Sequence, residues 1–377
     1  VKIYRCSVSR DKLQPQKDGP FDPAAVQHLR DHIRLFRANG IDLRVTLSHF
    51  AEPLYFSWDR AGDVAGFVDF AERVSEILYE EGVRTIVTIN EPTVVAFQGW
   101  VMGMFPPYKK LDFETSAKVI ENMMRAHDQI YTRLKARHAD FQVGFSHDPI
   151  EFSPYHKKHP LWAPVEKGVC HVLTEVNGGA FDRMMETGEF ELRVPFLCNY
   201  SFKLPRKPPM DFFGLQFYTR PLVQISLCGA GSVSRVPGEK ITSYEYRQYP
   251  QGIVSALGKY GKLKTPTGQP VKIKITEVGI DRGINRDETD AQRIAYFDRI
   301  NQAVKFAKDH GVEVDEIDYW TLIDNSEWYK RWGVRFGFYK FDPATGAIER
   351  LPLARWVADR VAARNRALPQ PAAAPAA

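Results

Sequence analysis

The stretch Val83-Arg-Thr-Ile-Val-Thr-Ile-Asn-Glu-Pro92 decides the fold. Its Val, Thr and Ile residues make a short β-branched run that ends in an amide, a carboxylate and a proline. A run of this length and composition suits a central parallel strand covered on both faces. Pro92 stops it, because proline has no N–H to give to a strand ladder. Asn90 and Glu91 therefore stand at the strand's carboxyl end. In a barrel of alternating strands and helices that end faces the active-site mouth, which makes Glu91 a candidate catalytic acid.

A second stretch has the same shape. Val271-Lys-Ile-Lys-Ile-Thr-Glu277 alternates apolar and polar residues, delivers Glu277 to a strand end and is followed by Gly279. Two glutamates that each close a strand are the equipment of a glycosidase: one carboxyl protonates the leaving oxygen, and the other attacks the sugar carbon or activates water. Thr88-Ile-Asn-Glu-Pro92 and Ile275-Thr-Glu-x-Gly279 resemble the acid/base and nucleophile motifs of family 1 glycoside hydrolases, the retaining β-glucosidase family.

Length and composition agree with one large domain. The chain has 377 residues, and a barrel of strands and helices occupies about 250 residues or more as a single unit. The hydrophobic share of 44% and charged share of 26% are ordinary for a globular protein. No apolar run approaches the roughly 20 residues of a membrane span, so no membrane partner is expected. Lysines and arginines are scattered and the net charge is only +5, which argues against a nucleic-acid partner. Cys6, Cys170, Cys198 and Cys228 show no C-x-x-C spacing; buried free thiols, and hence a reducing, cytoplasmic setting, are expected.

Taken in order, the chain alternates. Strands are expected near residues 2–8, 41–47, 83–91, 141–146, 211–216, 271–277 and 316–322. Between them the apolar spacing and caps predict helices over 22–40 (Asp22 as N-cap, Pro23 in the first turn, Gly40 as stop), 63–82, 113–137, 181–187, 252–260 and 287–310. A hairpin over 336–341 and a last helix over 352–366 follow. The fold class is α/β, a (β/α)8 TIM-barrel type with seven recognisable strands. Residues 1–367 form the barrel domain, and the Ala/Pro-rich segment 368–377 is expected to be disordered. The resemblance places the first segment at the family's second strand. The first and last recognisable strands are then sheet edges, where unpaired backbone opens most readily, and an incomplete gene product is one reading.

The resemblance implies roles for further residues. It makes Glu91 the acid/base and Glu277 the nucleophile. Arg5 matches an arginine beside the nucleophile, where a cation favours the ionised carboxylate. Tyr218, in Asp211-Phe-Phe-Gly-Leu-Gln-Phe-Tyr-Thr219, matches a tyrosine that hydrogen-bonds the nucleophile. Asn90 matches the amide that reads the hydroxyl next to the reacting carbon. His49 matches a sugar-contacting histidine, with Phe50 where the family often has tryptophan. Trp320-Thr-Leu-Ile-Asp-Asn-Ser-Glu-Trp328 resembles the family's aromatic-floored loop: Trp320 is the platform beneath the sugar, and Glu327 and Trp328 bind distal hydroxyls.

The function implied is a retaining β-glycosidase acting on a terminal β-linked, glucose-like sugar by a two-carboxylate double displacement, with a small carbohydrate as its partner and no metal or organic cofactor. Two alternatives remain. Lys330, Arg331 and Lys340 suggest a 6-phospho-β-glycosidase, although Glu327 stands where the phosphate would approach. A sugar-binding relative without turnover is the other. The match departs from the family at Arg10, Thr93, Gln216, Val278 and Ser326. His147, His156, His159 and His171 lack a metal-ligand spacing and read as surface or capping residues. Gly229-Ala-Gly231 lacks the strand–helix context of a phosphate loop, and Lys203 to Lys207 reads as a solvated loop.

Overall fold

The computed structural model describes residues 2–226, 229–232, 248–283, 290–328 and 330–367. Seven strands lie side by side in chain order: β1 (Ile3–Ser7), β2 (Asp42–Ser48), β3 (Thr85–Asn90), β4 (Gln142–His147), β5 (Phe212–Phe217), β6 (Lys272–Gly279) and β7 (Val314–Trp320). Every neighbouring pair is parallel. Parallel pairing requires a crossover, and each crossover carries helix: α1 (Pro23–Ala38), α2 (Val64–Glu80), α3 (Phe113–Arg137), α4 (Trp162–Thr174) with α5 (Ala180–Thr187), α6 (Gly252–Tyr260) and α7 (Asp290–Asp309). A final helix, α8, spans Pro352–Ala367. The result is a nearly closed sheet of the (β/α)8-barrel type.

Local chemistry sets the boundaries. The Asp22 carboxylate accepts from the Ala25 amide at 2.8 Å and opens α1, and Asp112 does the same for Thr115 at 3.1 Å ahead of α3. Each cap satisfies an amide that the first helical turn leaves without a partner. Gly144 is required where β4 passes β5, since a Cβ there would lie 2.3 Å from the Phe212 carbonyl oxygen. The layer between sheet and helices is aromatic: Phe145 meets Phe181 and Phe213 at ring distances of 6.0 and 5.9 Å, and Phe67 and Phe70 on α2 are fully buried.

Inside the barrel, below the strand ends, lies a charged layer. Arg44 on β2 is fully buried and pairs with both Glu316 and Asp318 of β7, while Lys274 on β6 pairs with Glu316 and, at 2.8 Å, with Asp315. The Arg44 pairs join β2 to β7, which are not neighbours in the sheet order, whereas the Lys274 pairs join the adjacent β6 and β7. Burial pushes the Asp318 carboxyl up to about 6 against the pull of Arg44.

Several expectations need correction. Helix α4 was not expected; among its side chains only Ala163, Glu166 and Cys170 are buried, so its apolar periodicity is weak. The segment after α5 is an antiparallel hairpin, Glu189–Val194 with Cys198–Lys203, so Lys203 closes a strand instead of opening a loop. The late hairpin joins Tyr339–Phe341 to Ile348–Arg350 and does not lie within 336–341. Gly229 and Gly231 belong to a short antiparallel strand. His147 is fully buried between Phe181, Phe213 and Tyr260 and is not a surface residue. His159 does cap: its Nδ1 accepts the Leu161 and Trp162 amides. Cys170 is buried and free, whereas Cys6 and Cys198 are free but only half-buried; Cys228 and the tail 368–377 lie outside the described residues. Among the described residues no helix is long and apolar enough to cross a membrane, and no group of three His, Cys, Asp or Glu could hold a metal ion.

Candidate active site

The strand ends bring Arg5, Asn90, Glu91, Tyr218 and Glu277 together. Glu277 lies near the end of β6, buried to 5% exposure. One of its oxygens pairs with the Arg5 guanidinium of β1, and the other accepts the Tyr218 hydroxyl at 2.6 Å. Arg5 is itself held by three elements: Nε donates to Thr46 Oγ1 at 3.1 Å, Nη1 to Glu277 and Nη2 to Asn90 Oδ1 at 2.6 Å. Such a fork recognises a carboxylate with direction as well as charge. Burial, and then the charges of Glu277 and Glu91, push the Tyr218 phenol well above its ordinary range, so it remains a donor.

Glu91 stands in a different setting. It follows β3 with φ of 46°, the left-handed region, and there Pro92 opens a short helix to Ala96. A non-glycine residue in that region carries a conformational cost and is often found at functional sites. The Glu91 amide donates to the Ser146 carbonyl of β4 at 2.8 Å, which seats the turn. Its carboxyl is held well above the usual carboxylate range, first by burial, then by the charges of Asp148 and Glu277, against a smaller pull from Arg5. One glutamate thus faces a cation and a phenol, while the other is buried near further negative charge.

Asn90 is positioned by two donors, Arg5 Nη2 at 2.6 Å and Gln216 Nε2 at 2.9 Å, both on its Oδ1. Its Nδ2 is buried and has no protein acceptor, which leaves a donor available to a bound hydroxyl. Gln216, known from the sequence only as a departure, thereby takes part in the site. Burial and the Arg5 charge drop the His49 imidazole to about 3, so it is a neutral hydrogen-bonding ring.

The aromatic residues form one wall. His49 lies 6.3 Å from Trp320 and 6.1 Å from Trp328, and Phe50 meets Trp328 at 4.8 Å and Phe105 at 5.4 Å. Trp320 Nε1 donates to Glu327 Oε1 at 3.1 Å, and burial pushes the Glu327 carboxyl up to about 7. The loop carrying these residues is stapled from behind. Arg282 holds Asp324 at 2.9 Å, Asp324 accepts the Gly337 amide at 2.9 Å, and the fully buried Arg293 donates to the Phe336 and Gly337 carbonyls. The sequence offered no signal for this staple, whose partners are separated by 13 to 44 residues.

Flat apolar faces beside buried donors and acceptors suit a sugar ring and its hydroxyls. Of the basic residues considered for a phosphate, Lys340 lies 3.6 Å from Glu349, and Lys330 has a partner of its own.

Comparison with known proteins gives the family. The model of the family described as glycosyl hydrolase family 1 matches residues 1–365. A 6-phospho-beta-galactosidase of Clostridium acetobutylicum is 25% identical, covering 91% of this chain and 79% of that protein. Beta-glucosidase A of Thermotoga maritima is 26% identical, covering 92% and 79%. The solved structure of a beta-glycosidase from Pyrococcus horikoshii superposes with a TM-score of 0.81 at 25% identity, covering 98% of this chain and 84% of that one.

Proposed function

From the premise that this chain belongs to glycosyl hydrolase family 1 and is a glycoside hydrolase, we propose that it is a retaining β-glycosidase acting on a terminal, unphosphorylated, β-linked glucose-like sugar. Glu91 is the acid and Glu277 the nucleophile. In the first step the Glu91 proton passes to the glycosidic oxygen as the C1–O bond breaks, and a Glu277 oxygen bonds to C1. In the second, Glu91, now a carboxylate, takes a proton from water while that water's oxygen displaces Glu277 from C1. Arg5 and Tyr218 orient the nucleophile. Asn90, His49, Glu327 and Trp328 read hydroxyls, Trp320 carries the ring, and Phe50 packs beneath Trp328.

The observation that carries this reading is the inequality of the two carboxyls: Glu277 has a guanidinium on one oxygen and a phenol on the other, whereas burial and like charge hold Glu91 protonated. Environments that push two carboxyls apart assign acid and nucleophile. The named relatives support a sugar substrate, and one of them, the 6-phospho-beta-galactosidase, raises the phosphorylated alternative. Glu327 argues against it, since a carboxyl there offers a phosphate dianion no positive charge and, once ionised, repels it.

The test is to trap the enzyme with a 2-deoxy-2-fluoro β-glucoside bearing a dinitrophenolate leaving group and to map the labelled peptide, in parallel with competition between glucoside and 6-phosphoglucoside. Label on Glu277, and inhibition by the neutral sugar alone, is the expected result. Turnover without label on Glu277 would overturn the mechanism, preference for the phosphorylated sugar would overturn the substrate, and calorimetric binding without turnover would make the protein a sugar binder.

A further inference from the structure

Two buried polar atoms in the floor of the site have no hydrogen-bond partner among the described residues, and their side chains are neighbours. One is Asn90 Nδ2 and the other is Gln216 Oε1. Gln216 lies on β5 opposite Glu277 of β6, and Gln216 and Asn90 are 0% and 1% exposed. Its bond to Asn90 places Gln216 inside the barrel, because β3 and β5 are not adjacent and β4 lies between them. The layer beneath is satisfied within itself. Gly214 stands two residues earlier on the same face of β5; a Cβ there would lie 2.6 Å from Ser146 Oγ, and across that gap the Ser146 and Thr276 hydroxyls bond to each other at 2.9 Å. A donor for Gln216 Oε1 therefore has to enter from the mouth.

The direction of both amides follows from a chain of donors. A guanidinium can only donate, so the Asn90 atom that meets Arg5 Nη2 at 2.6 Å is its oxygen. That oxygen also takes the bond from Gln216 at 2.9 Å, so the Gln216 atom facing it is nitrogen, and the carbonyl oxygen of Gln216 is the one left over. An unpaired donor on Asn90 and an unpaired acceptor on Gln216 are together the complement of one hydroxyl, which accepts with its lone pairs and donates its proton. Each Glu277 oxygen already has a donor of its own, from Arg5 or from Tyr218. We propose that Gln216 is a specificity-determining residue: while Asn90 Nδ2 binds the oxygen of the sugar hydroxyl next to the reacting carbon, Gln216 Oε1 takes that hydroxyl's proton. This rests on the reading of Glu277 as the nucleophile. A sugar that lacks the hydroxyl, or carries a methyl cap on it, leaves the buried carbonyl unpaired, and a site built to bond a hydroxyl rejects such analogues more strongly than an apolar pocket does.

The experiment compares kcat/KM on an aryl β-glucoside and on its 2-deoxy analogue, for the parent and for Gln216→Met, which keeps an unbranched side chain and removes both polar atoms. Asn90 keeps its bond from Arg5 in this variant. The preference for the glucoside should fall by about 10- to 100-fold in Gln216→Met, as expected for one buried hydrogen bond, with most of the loss on the glucoside. Equal losses on both substrates would make Gln216 a merely structural residue and overturn the proposal. A second measurement needs no variant: in a crystal structure of the parent with deoxynojirimycin, Asn90 Nδ2 and Gln216 Oε1 should both lie within about 3.2 Å of the oxygen of one ring hydroxyl, the one next to the carbon that faces Glu277. A Gln216 Oε1 bonded only to water, or to a different hydroxyl, overturns it. The premise fails separately. Turnover without label on Glu277 from the fluoro sugar removes the nucleophile and this proposal with it, whereas label on Glu277 with an unmoved substrate preference in Gln216→Met overturns this proposal alone.

Discussion

Replacing Arg5 with methionine removes a buried cation while keeping an unbranched side chain. The Arg5 and Glu277 side chains are each 7% exposed, so solvent screens their attraction little. Two unit charges centred about 4 Å apart at an effective dielectric of about 20 attract by about 4 kcal/mol, equivalent to about three powers of ten in rate or affinity. Breaking a buried pair by removing one partner costs about 3–5 kcal/mol, because the remaining charge is unpaired. The variant leaves Glu277 without the guanidinium that orients it and without a counter-charge. Arg5→Met should therefore lower kcat/KM by about 10²- to 10³-fold. Arg5→Lys keeps the charge but cannot serve Thr46, Asn90 and Glu277 at once, so its loss should be smaller. The assay is kcat/KM on a dinitrophenyl glucoside, whose leaving group needs no acid, across the pH range in which each variant stays folded. An Arg5→Met enzyme of unchanged fold and kcat/KM within about threefold of the parent would refute the reasoning that the pair prepares the nucleophile.

The buried His127 accepts from Thr88 Oγ1 and donates to the Pro209 carbonyl at 2.7 Å, and burial drops its imidazole to about 4. Its folded value lies below the unfolded one of about 6.5, so the stability it contributes is present above about 6.5 and lost as pH falls through about 4, some 3 kcal/mol in all. Denaturant titrations from pH 7 to pH 4 should show this slope and His127→Gln should flatten it; an unaltered slope would acquit the histidine. Backbone hydrogen exchange should be fastest in β1 and β7, which stand at the ends of the sheet order and whose residues are mostly half-buried, and slowest in β3 and β5. Uniform protection across the seven strands would contradict it.

What the sequence makes legible follows from the range over which each signal acts. Helix α3 opens at its Asp112 cap, and helices α3 and α6 span the ranges their apolar spacing predicts, Phe113–Arg137 and Gly252–Tyr260, because capping and apolar spacing are local. The glutamates were legible for the same reason: β-branched run, carboxylate and proline or glycine fall within ten residues. The hairpin over 189–203 also had a local signal, the alternation of Phe190, Leu192 and Val194 with Glu189, Glu191 and Arg193. The barrel pattern, which predicts helix between successive strands, masks that signal.

The seat of Glu91 was illegible for a different reason, and that reason bears on how the site works. Nothing near Ser146 in the chain marks it, and Glu91 is far away in sequence; they meet only through the register of β3 against β4, which itself shifts between Val87 and Asn90. Were that pairing regular, the alternation that aims Glu91 would differ, since a slip of one residue turns a side chain to the opposite face. The left-handed turn at Glu91 and its amide bond to Ser146 hold Glu91 against β4, while Arg5 links Glu277 to β3 through Asn90. A motif supplies two identical carboxyls, and the pairing of strands makes their surroundings unequal. The proposed division of labour between Glu91 and Glu277 is therefore a property of the sheet, and variants that disturb Ser146 or Asn90 should blur it before they unfold the barrel.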